Sequence, residues 1–472
     1  MQASKSWILA ISTTFVGGPV ILALSPIDWW GFVVPVVMAS PLIFVDLFRW
    51  GRGIYDTFDP AGLFAIIGTY HFIVAPLIHA STGYWARWLP EVDWLSSLAL
   101  LCWLNLLGLI LYRLSFSASR FNSGYTSPRP ALTPSACRGA ALGLAVATVV
   151  HFLSILHLGG ISGYIRAIET RQEGSLDGFG SVFAVSESAP FLASIVYVAR
   201  RQGKDIRGQE LLIFFLALSM LSLVFGGARG SRNTFLWPLV FAAVLVHRYL
   251  RTIPRQFVVI GIAFLVGFSY VYGFYKSTGT EILSAVQEAG NREQLEASTA
   301  RTAESLLVDD LARIGIQAWL VGRYLDKDVD FDPVFGETYI GAATLPLAGR
   351  LIDAPARTKL EVGSEIRYGP RAAEVGLRST RVYGAAGEAL LNFGLLGIPM
   401  AYFLLGPSVQ FLRRAGSRGG PVLAPLATVS VIYLFLNDSD NLVFFLVKFG
   451  LFPAVVLWLA TRVHHKAGVG RL

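Results

Sequence analysis

Long stretches without a charged residue constrain this chain more than any other feature of its sequence. Trp7–Leu24 and Trp94–Tyr112 contain no Asp, Glu, Lys or Arg. Each is close to the roughly 20 residues that an α-helix needs to cross about 30 Å of hydrocarbon. Of the 472 residues, 54% are hydrophobic and only 15% are charged, which is outside the range of soluble globular proteins. The sequence therefore predicts an all-α, polytopic transmembrane helix bundle.

About twelve apolar runs are long enough to be candidate membrane spans. They lie near residues 7–24, 30–48, 61–80, 94–112, 139–158, 180–199, 210–226, 233–247, 256–275, 386–411, 421–436 and 442–461. The sequence thus predicts nine spans in residues 1–275, a large, partly helical periplasmic loop in residues 276–385, and three spans in residues 386–472.

The basic residues indicate the orientation of these spans. Short cytoplasmic loops are enriched in Lys and Arg, and counting crossings from Lys5 places every short basic loop on the same face. These loops carry Arg49 and Arg52, the arginines of residues 113–138, Arg200, Arg201, Lys204, Arg207, Arg248, Arg251, Arg255, Arg413, Arg414, Arg418, Arg462 and Lys466. Both termini are then cytoplasmic. The net charge of +8 is a topology signal and does not call for a nucleic-acid partner.

The large loop contains one segment with helical periodicity. Apolar residues recur at helical spacing between Glu304 and Leu325, which predicts an amphipathic helix that rests on the bundle or on the membrane interface. The segment Val329–Arg381 is rich in Pro, Gly and charge and is typical of an irregular functional loop.

Three loops on the predicted outer face contain arginine pairs. In the Gly-containing turn Gly226–Asn233, which precedes a helix, backbone N–H groups and guanidinium groups can both bind phosphate. The alternative for each pair is solvated surface charge or snorkelling. Taken together, the pairs predict one anionic ligand at the outer membrane surface; they are Arg166 and Arg171, Arg229 and Arg232, and Arg378 and Arg381.

Two acidic residues lie inside or at the edge of a predicted span. Glu187 falls in the sixth span and Glu388 opens the tenth, where a lipid-exposed charge costs roughly 2–3 kcal/mol or more. Either could act as a general base, and an ion pair between helices is the alternative for Glu187. Lys448 in the last span is a candidate partner for either acid. The seven histidines suggest no metal site, because none lies in the large loop.

Four short segments of the chain carry a family resemblance. They are Gly226-Gly-Ala-Arg-Gly-Ser-Arg232, Gly336-Glu-Thr-Tyr-Ile-Gly341, Leu345-Pro-Leu347 and Tyr383-Gly-Ala-Ala-Gly-Glu-Ala-Leu-Leu-Asn-Phe-Gly-Leu-Leu-Gly397. In these segments, and in topology over most of its length, the chain resembles the Wzy-type family of bacterial O-antigen and oligosaccharide repeat-unit polymerases. The stretch from Gly387 to Gly394 is the most specific part. The family's spacing of arginine and glycine in two outer loops is not reproduced, because Arg166 and Gly178 are one residue too far apart.

The resemblance implies transfer of a growing glycan from undecaprenyl pyrophosphate to a new lipid-linked unit, on the periplasmic face of the bacterial inner membrane. It implies a glycosyltransferase without metal or other cofactor. Fixed guanidinium groups would stabilise the pyrophosphate leaving group. The resemblance also implies two partners, the undecaprenyl-pyrophosphate-linked oligosaccharide and membrane lipid. A chain-length regulator and a flippase are possible further partners, and nucleic acid is not expected as one.

The site residues that we infer on this basis form two groups. Glu388, as the leading candidate for the general base, Arg378 and Arg381 form the catalytic group. The expected substrate-binding residues are Arg166, Arg171, Arg229, Arg232 and Arg313.

Two other functions remain open at this point. An O-antigen ligase uses the same class of donor but typically carries a histidine in its large outer loop, and residues 276–385 contain none. A non-enzymatic lipid-linked glycan flippase or transporter would be expected to have paired discontinuous helices and charges near the membrane midplane.

Overall fold

The computed structural model of this protein describes residues 2–85, 93–118, 131–170, 180–227, 232–278, 302–326, 331–345, 356–372, 374–379 and 381–469. Within these ranges the regular secondary structure is entirely helical. Nine helices in the described part of the chain are long and apolar enough to cross a membrane: Ser4–Leu24, Ile27–Gly51, Pro60–Thr82, Trp94–Ala118, Pro134–His157, Val182–Arg201, Gly208–Phe225, Arg255–Gly273 and Ser439–Arg462. The all-α, polytopic character of the chain agrees with the prediction, whereas the count of about twelve spans stays a prediction.

The chain divides into two compact units. Unit 1 comprises Met1–Ser123, Glu293–Arg414 and Ser430–Val443, and unit 2 comprises Gly124–Arg292, Ala415–Val429 and Phe444–Leu472. The described residues of the large loop from Thr302 onward thus belong to the same compact unit as the first spans.

Unit 1 contains most of the helices that surround the candidate site. Its helices are Gln2–Leu24, Trp30–Gly51, Pro60–Thr69, Ala75–Thr82, Trp94–Ala118, Ile314–Leu325, Glu337–Thr344, Lys359–Tyr368, Gly384–Phe393 and Gly397–Arg418, with π-helical segments at Tyr70–Val74 and Ser305–Leu311 and a 3₁₀ turn at Ile27–Trp29. The helices Leu423–Leu436 and Ser439–Leu446 contribute residues to both units.

Unit 2 is built from the remaining helices. They are Pro134–His157, Gly160–Thr170, Gly180–Ser186, Ala189–Arg201, Gly208–Phe225, Arg232–Leu245, Arg255–Thr278 and Phe452–Val469, with π-helical segments at Val246–Leu250 and Val447–Leu451. The Pro134–His157 helix packs against both Ala189–Arg201 and Phe452–Val469. Its Gly139 allows the close approach, because a Cβ atom there would lie 2.9 Å from the Cβ atom of Ala460.

The helix Ile314–Leu325, here called the loop helix, forms part of the core of unit 1. It packs against the Trp94–Ala118 span. Every residue from Ile314 to Val321 is buried, including Trp319. The predicted helix is therefore present, but it is enclosed on all sides along this stretch and is not an amphipathic helix with one solvated face. The helical spacing of the apolar residues predicted one buried face of this helix and did not predict that its other faces are buried as well.

The segment expected to form the tenth span is divided in the structure. One helix ends at Phe393 and the next begins at Gly397. Gly394 between them has a φ of 66°, a left-handed conformation that glycine adopts at little cost. A Cβ atom at this position would lie 2.7 Å from the Tyr324 hydroxyl oxygen. The break produces the short helix Gly384–Phe393, here called the Glu388 helix.

The segment Val329–Arg381 is more ordered than the sequence predicts. It contains the helices Glu337–Thr344 and Lys359–Tyr368, and the second is here called the Lys359 helix. Thr358 caps its first turn with Glu361 in a reciprocal capping box, which satisfies two backbone N–H groups that would otherwise lack partners.

The basic ends of three helices in unit 1 pair with two buried carboxylates. Arg113 and Arg49 both pair with Asp46, at 2.6 Å and 3.2 Å. Arg413 grips Asp59 through its Nε and Nη2 atoms at 2.8–3.1 Å. All three arginines come from segments that the charge pattern assigns to one face, and the structure brings each of them to a carboxylate in the same unit.

Candidate functional site

A polar turn in unit 1 joins several segments of the chain. It consists of Asn437–Asp440 and is here called the polar turn. Asp438 is fully buried, and its Oδ1 atom accepts hydrogen bonds from the backbone N–H groups of Tyr383 and Gly384, each at 2.8 Å. These groups stand at the start of the Glu388 helix, where the first N–H groups have no intrahelical partner and the helix dipole favours an anion. Asp438 therefore anchors this helix from a distant part of the chain.

Lys359 supplies the positive charge that balances the polar turn. Its ammonium group lies 2.8 Å from the Oδ2 atom of Asp438 and 3.6 Å from that of Asp440. It also donates a hydrogen bond to the carbonyl oxygen of Arg381 at 3.0 Å. Burial lowers the pKa of Lys359, but the two carboxylates outweigh burial and raise it above its usual value. Lys359 is therefore a charged residue that holds three segments together.

Glu388 is buried beside the polar turn, and both of its carboxylate oxygens accept hydrogen bonds. Oε2 accepts from the backbone N–H of Ser439 at 2.6 Å, and Oε1 accepts from the hydroxyl groups of Ser439 at 2.5 Å and Thr338 at 2.9 Å. Asn392 donates to the Thr338 hydroxyl oxygen at 2.7 Å. Burial, followed by the charge of Asp438, raises the pKa of Glu388 to about 7 against the opposing effect of these donors.

Arg313 is held in a strained conformation between two helical segments. Its φ of 64° is in the left-handed region, which is uncommon for a residue with a side chain. The guanidinium group donates from Nη1 to the carbonyl oxygen of Asp309 at 3.1 Å and from Nε to that of Leu436 at 3.4 Å. Nη1 also lies 3.8 Å from the Oδ1 atom of Asp310. Arg313 thus links the start of the loop helix to the end of the Leu423–Leu436 helix, immediately before the polar turn.

Asp309 occupies the π-helical segment that precedes Arg313. The phenol of Tyr84 donates a hydrogen bond to its Oδ2 atom at 3.1 Å, while Oδ1 is buried without a hydrogen-bond partner among the described residues. Burial raises the pKa of Asp309 to about 6; the Tyr84 hydrogen bond and the positive charges of Arg381 and Arg313 oppose this effect. The fields of Arg381 and Arg313 therefore reach the same carboxyl group.

Unit 1 brings together some of the residues inferred from the sequence. Glu388 contacts the polar turn directly, Arg381 is joined to it through Lys359, and Arg313 contacts Leu436, the residue before the turn. Arg378 is exposed to solvent, between the Lys359 helix and the Glu388 helix.

The remaining predicted residues belong to unit 2 or lie outside the described residues. Arg166 is exposed near the end of the Gly160–Thr170 helix, and Arg232 is half-buried at the start of Arg232–Leu245. Arg171 and Arg229 lie outside the described residues.

Glu187 in unit 2 forms an ion pair. Its Oε2 atom is bound by the ammonium group of Lys448 and accepts a hydrogen bond from the Thr234 hydroxyl at 3.0 Å. Lys448 also approaches the Thr234 hydroxyl oxygen at 3.2 Å. The interpretation of Glu187 as one half of an ion pair between helices is confirmed, with Lys448 as its partner.

Sequence reasoning missed several members of the site. The sequence patterns did not indicate Tyr84, Asp309, Thr338, Lys359 or Asp438. One signal was available, because the Asn-Asp-Ser-Asp sequence of the polar turn places two acidic residues between apolar stretches. Within the described residues, no group of three or more His, Cys, Asp or Glu side chains could hold a metal ion.

Comparison with known proteins adds no further assignment. No protein family, no curated protein and no solved structure matches this chain.

Proposed function

We propose that the protein is a polymerase that joins undecaprenyl-pyrophosphate-linked oligosaccharide units into a surface polysaccharide on the periplasmic face of the bacterial inner membrane. The observation that carries the proposal is that the charges of Arg313 and Arg381 both act on the buried Asp309, in a unit that also contains the polar turn and Glu388. Arg313, Arg381, Asp309 and Glu388 all lie outside the nine candidate spans.

The chemistry of the proposed reaction suits this set of side chains. A glycosyl pyrophosphate leaves as an anion, and preorganised guanidinium groups stabilise the negative charge that develops in the transition state. Arg381, with exposed Arg378 close to it in the chain, is the cation that we assign to the pyrophosphate. A nearby carboxyl group takes the proton from the attacking sugar hydroxyl. The residues of unit 2, Arg166 and Arg232, are assigned to substrate contacts on the resemblance alone.

The experiment that tests the proposal uses the full-length protein in lipid nanodiscs. Incubation with a lipid-linked repeat unit and no nucleotide should yield a ladder of glycans separated by one repeat. Arg381→Ala should reduce the rate of elongation on the order of 100-fold, because one transition-state donor is lost. The exposed Arg371→Ala provides a matched control, since it removes a cation from the same loop. If the wild type forms no ladder with any lipid-linked donor, the proposal is rejected.

A flippase is the second candidate, and the Glu187–Lys448 pair is the observation that favours it. The pair joins two candidate spans of unit 2, and charged residues within spans mark transport pathways in many membrane proteins. Movement of lipid-linked glycan across sealed vesicles, with no ladder formed, would support this function instead.

A further inference from the structure

Glu388 is poorly suited to accept a proton from a substrate. Its two oxygens already accept three hydrogen bonds from Ser439 and Thr338, and only 2% of the residue is exposed. Three of the roughly four acceptor sites of a carboxylate are thus occupied by fixed donors, which the carboxylate orients. Glu388 therefore has the contacts of a positioning residue that fixes the polar turn against the Glu388 helix.

Asp309 has a different set of contacts. Its Oδ2 atom accepts a single hydrogen bond, from the Tyr84 phenol at 3.1 Å. Its Oδ1 atom is buried and has no hydrogen-bond partner among the described residues. Leaving a buried polar atom unpaired costs roughly 1–3 kcal/mol, and protonation of the carboxyl group lowers this cost. Asp309 can thus accept a proton without breaking an existing hydrogen-bond network.

The backbone around Asp309 is irregular in two ways. Residues Ser305–Leu311 form a π-helix, a conformation found frequently at functional sites. Arg313 follows with a φ of 64°, and backbone strain of this kind persists where the surrounding structure enforces it. These deviations place Asp309 against Tyr84. The charged groups whose fields act on the pair are Asp310, Arg381 and, at Asp309, Arg313.

We propose that Tyr84 and Asp309 form the proton-accepting pair of the transfer reaction. Asp309 is buried and Tyr84 is half-buried, so we assign the contact with the sugar hydroxyl to the Tyr84 phenol oxygen, and Asp309 acts through it. This inference rests on the proposed function and deepens it by assigning the base.

The proposed step transfers one glycosyl group and one proton. The acceptor hydroxyl oxygen forms the new bond to the anomeric carbon, and the bond from that carbon to the pyrophosphate oxygen breaks with its electron pair on the leaving group. The acceptor proton passes to the Tyr84 oxygen as the Tyr84 proton passes to Asp309. Asp309 ends the step protonated and Tyr84 ends it neutral, and Asp309 later returns its proton to water.

The test measures glycan-ladder formation by the full-length protein in nanodiscs, with a lipid-linked repeat unit, between pH 5 and pH 8. Asp309→Asn and Tyr84→Phe should each lower kcat at least 100-fold, within the usual range for general base catalysis, while the KM for the lipid-linked unit changes less than threefold. The wild-type rate should rise with pH through an ascending limb near pH 6, where Asp309 loses its proton, and Asp309→Asn should lack this limb. Asp309→Glu should retain the limb at a reduced rate.

Two matched controls separate this role from a structural one. Tyr70→Phe removes a hydroxyl that donates to the carbonyl oxygen of Leu307 on the same π-helix at 2.8 Å, and Asp332→Asn makes the same change at an exposed position. Both should keep kcat within about threefold and keep the ascending limb, in line with the small effects of most surface and non-catalytic changes. Should Asp309→Asn fail to fold, Tyr84→Phe still tests the pair.

The outcomes distinguish this inference from the proposed function. A wild-type ladder whose rate is unchanged in Asp309→Asn or Tyr84→Phe overturns the proton-accepting pair alone and leaves the polymerase in place. A wild-type protein that forms no ladder overturns both. A ladder that is lost in Glu388→Gln with an altered pH profile, while Asp309→Asn keeps the limb, returns the role of base to Glu388.

Discussion

At the scale of single residues, the buried carboxyl groups of unit 1 differ in the hydrogen bonds that they accept. In Glu388→Gln an amide nitrogen replaces one acceptor oxygen and faces donors on Ser439 or Thr338. A buried donor without an acceptor costs about 1–3 kcal/mol. We expect this variant to unfold at a clearly lower temperature than the wild type in detergent, whereas the exposed Glu374→Gln should not. Equal melting temperatures for the wild type, Glu388→Gln and Glu374→Gln would contradict the role of Glu388 in fixing the polar turn against the Glu388 helix.

The second residue-scale prediction concerns pH. The folded protein raises the pKa of Asp309 to about 6 from a reference of 3.8. Between these values the folded state binds more protons than the unfolded state, so stability falls as pH rises through this window and levels off above it. A difference of this size corresponds to up to about 3 kcal/mol.

Asp309→Asn should remove this pH-dependent loss of folding stability, because the Asn oxygen still accepts a hydrogen bond from Tyr84 and the side chain never ionises. Thermal unfolding from pH 4 to pH 8 should show the variant gaining stability relative to the wild type as pH rises, and Asp332→Asn should follow the wild type. A constant difference between Asp309→Asn and wild type across the range would contradict the assigned pKa.

At the scale of helices, the cap of the Lys359 helix controls where Lys359 is placed. Thr358→Ala removes the hydroxyl that accepts from the Glu361 backbone N–H and should destabilise the protein by about 1 kcal/mol, as is usual for the loss of an N-cap. The ammonium group of Lys359 should then be held less firmly against Asp438, and ladder formation should slow. Thr358→Ser retains the hydroxyl and should restore both the melting temperature and the rate; an identical loss in Thr358→Ser would rule out the cap as the cause.

The helices were predicted from the sequence more completely than their interruptions. A 20-residue apolar run requires a helix in hydrocarbon, and this predicts the spans. The break at Gly394 could not be predicted, because glycine is frequent inside transmembrane helices, and the sequence shows neither the φ of 66° at this position nor the Tyr324 hydroxyl close to it. The loop helix was predicted in position but not in burial, since periodicity does not show what encloses a helix.

At the scale of the whole molecule, the site depends on contacts between distant segments. An arginine pair in a loop on the predicted outer face pointed to Arg381, and a position at the edge of a predicted span pointed to Glu388. Tyr84 and Asp309 gave no comparable signal, since they are 225 residues apart in sequence and each is unremarkable alone. A tertiary hydrogen bond of this kind cannot be inferred from one sequence.

The membrane orientation is the last whole-molecule prediction. Basic loops are retained on the cytoplasmic side, so exposed Arg52 should face the cytoplasm and exposed Glu374 in the large loop should face the periplasm. Single cysteines at these positions, in a background with Cys102→Ala and Cys137→Ala, can be labelled with a membrane-impermeant maleimide on intact spheroplasts. Glu374→Cys should react at once and Arg52→Cys only after permeabilisation. The reverse order of labelling would place the large loop in the cytoplasm, where a periplasmic polymerase could not use it.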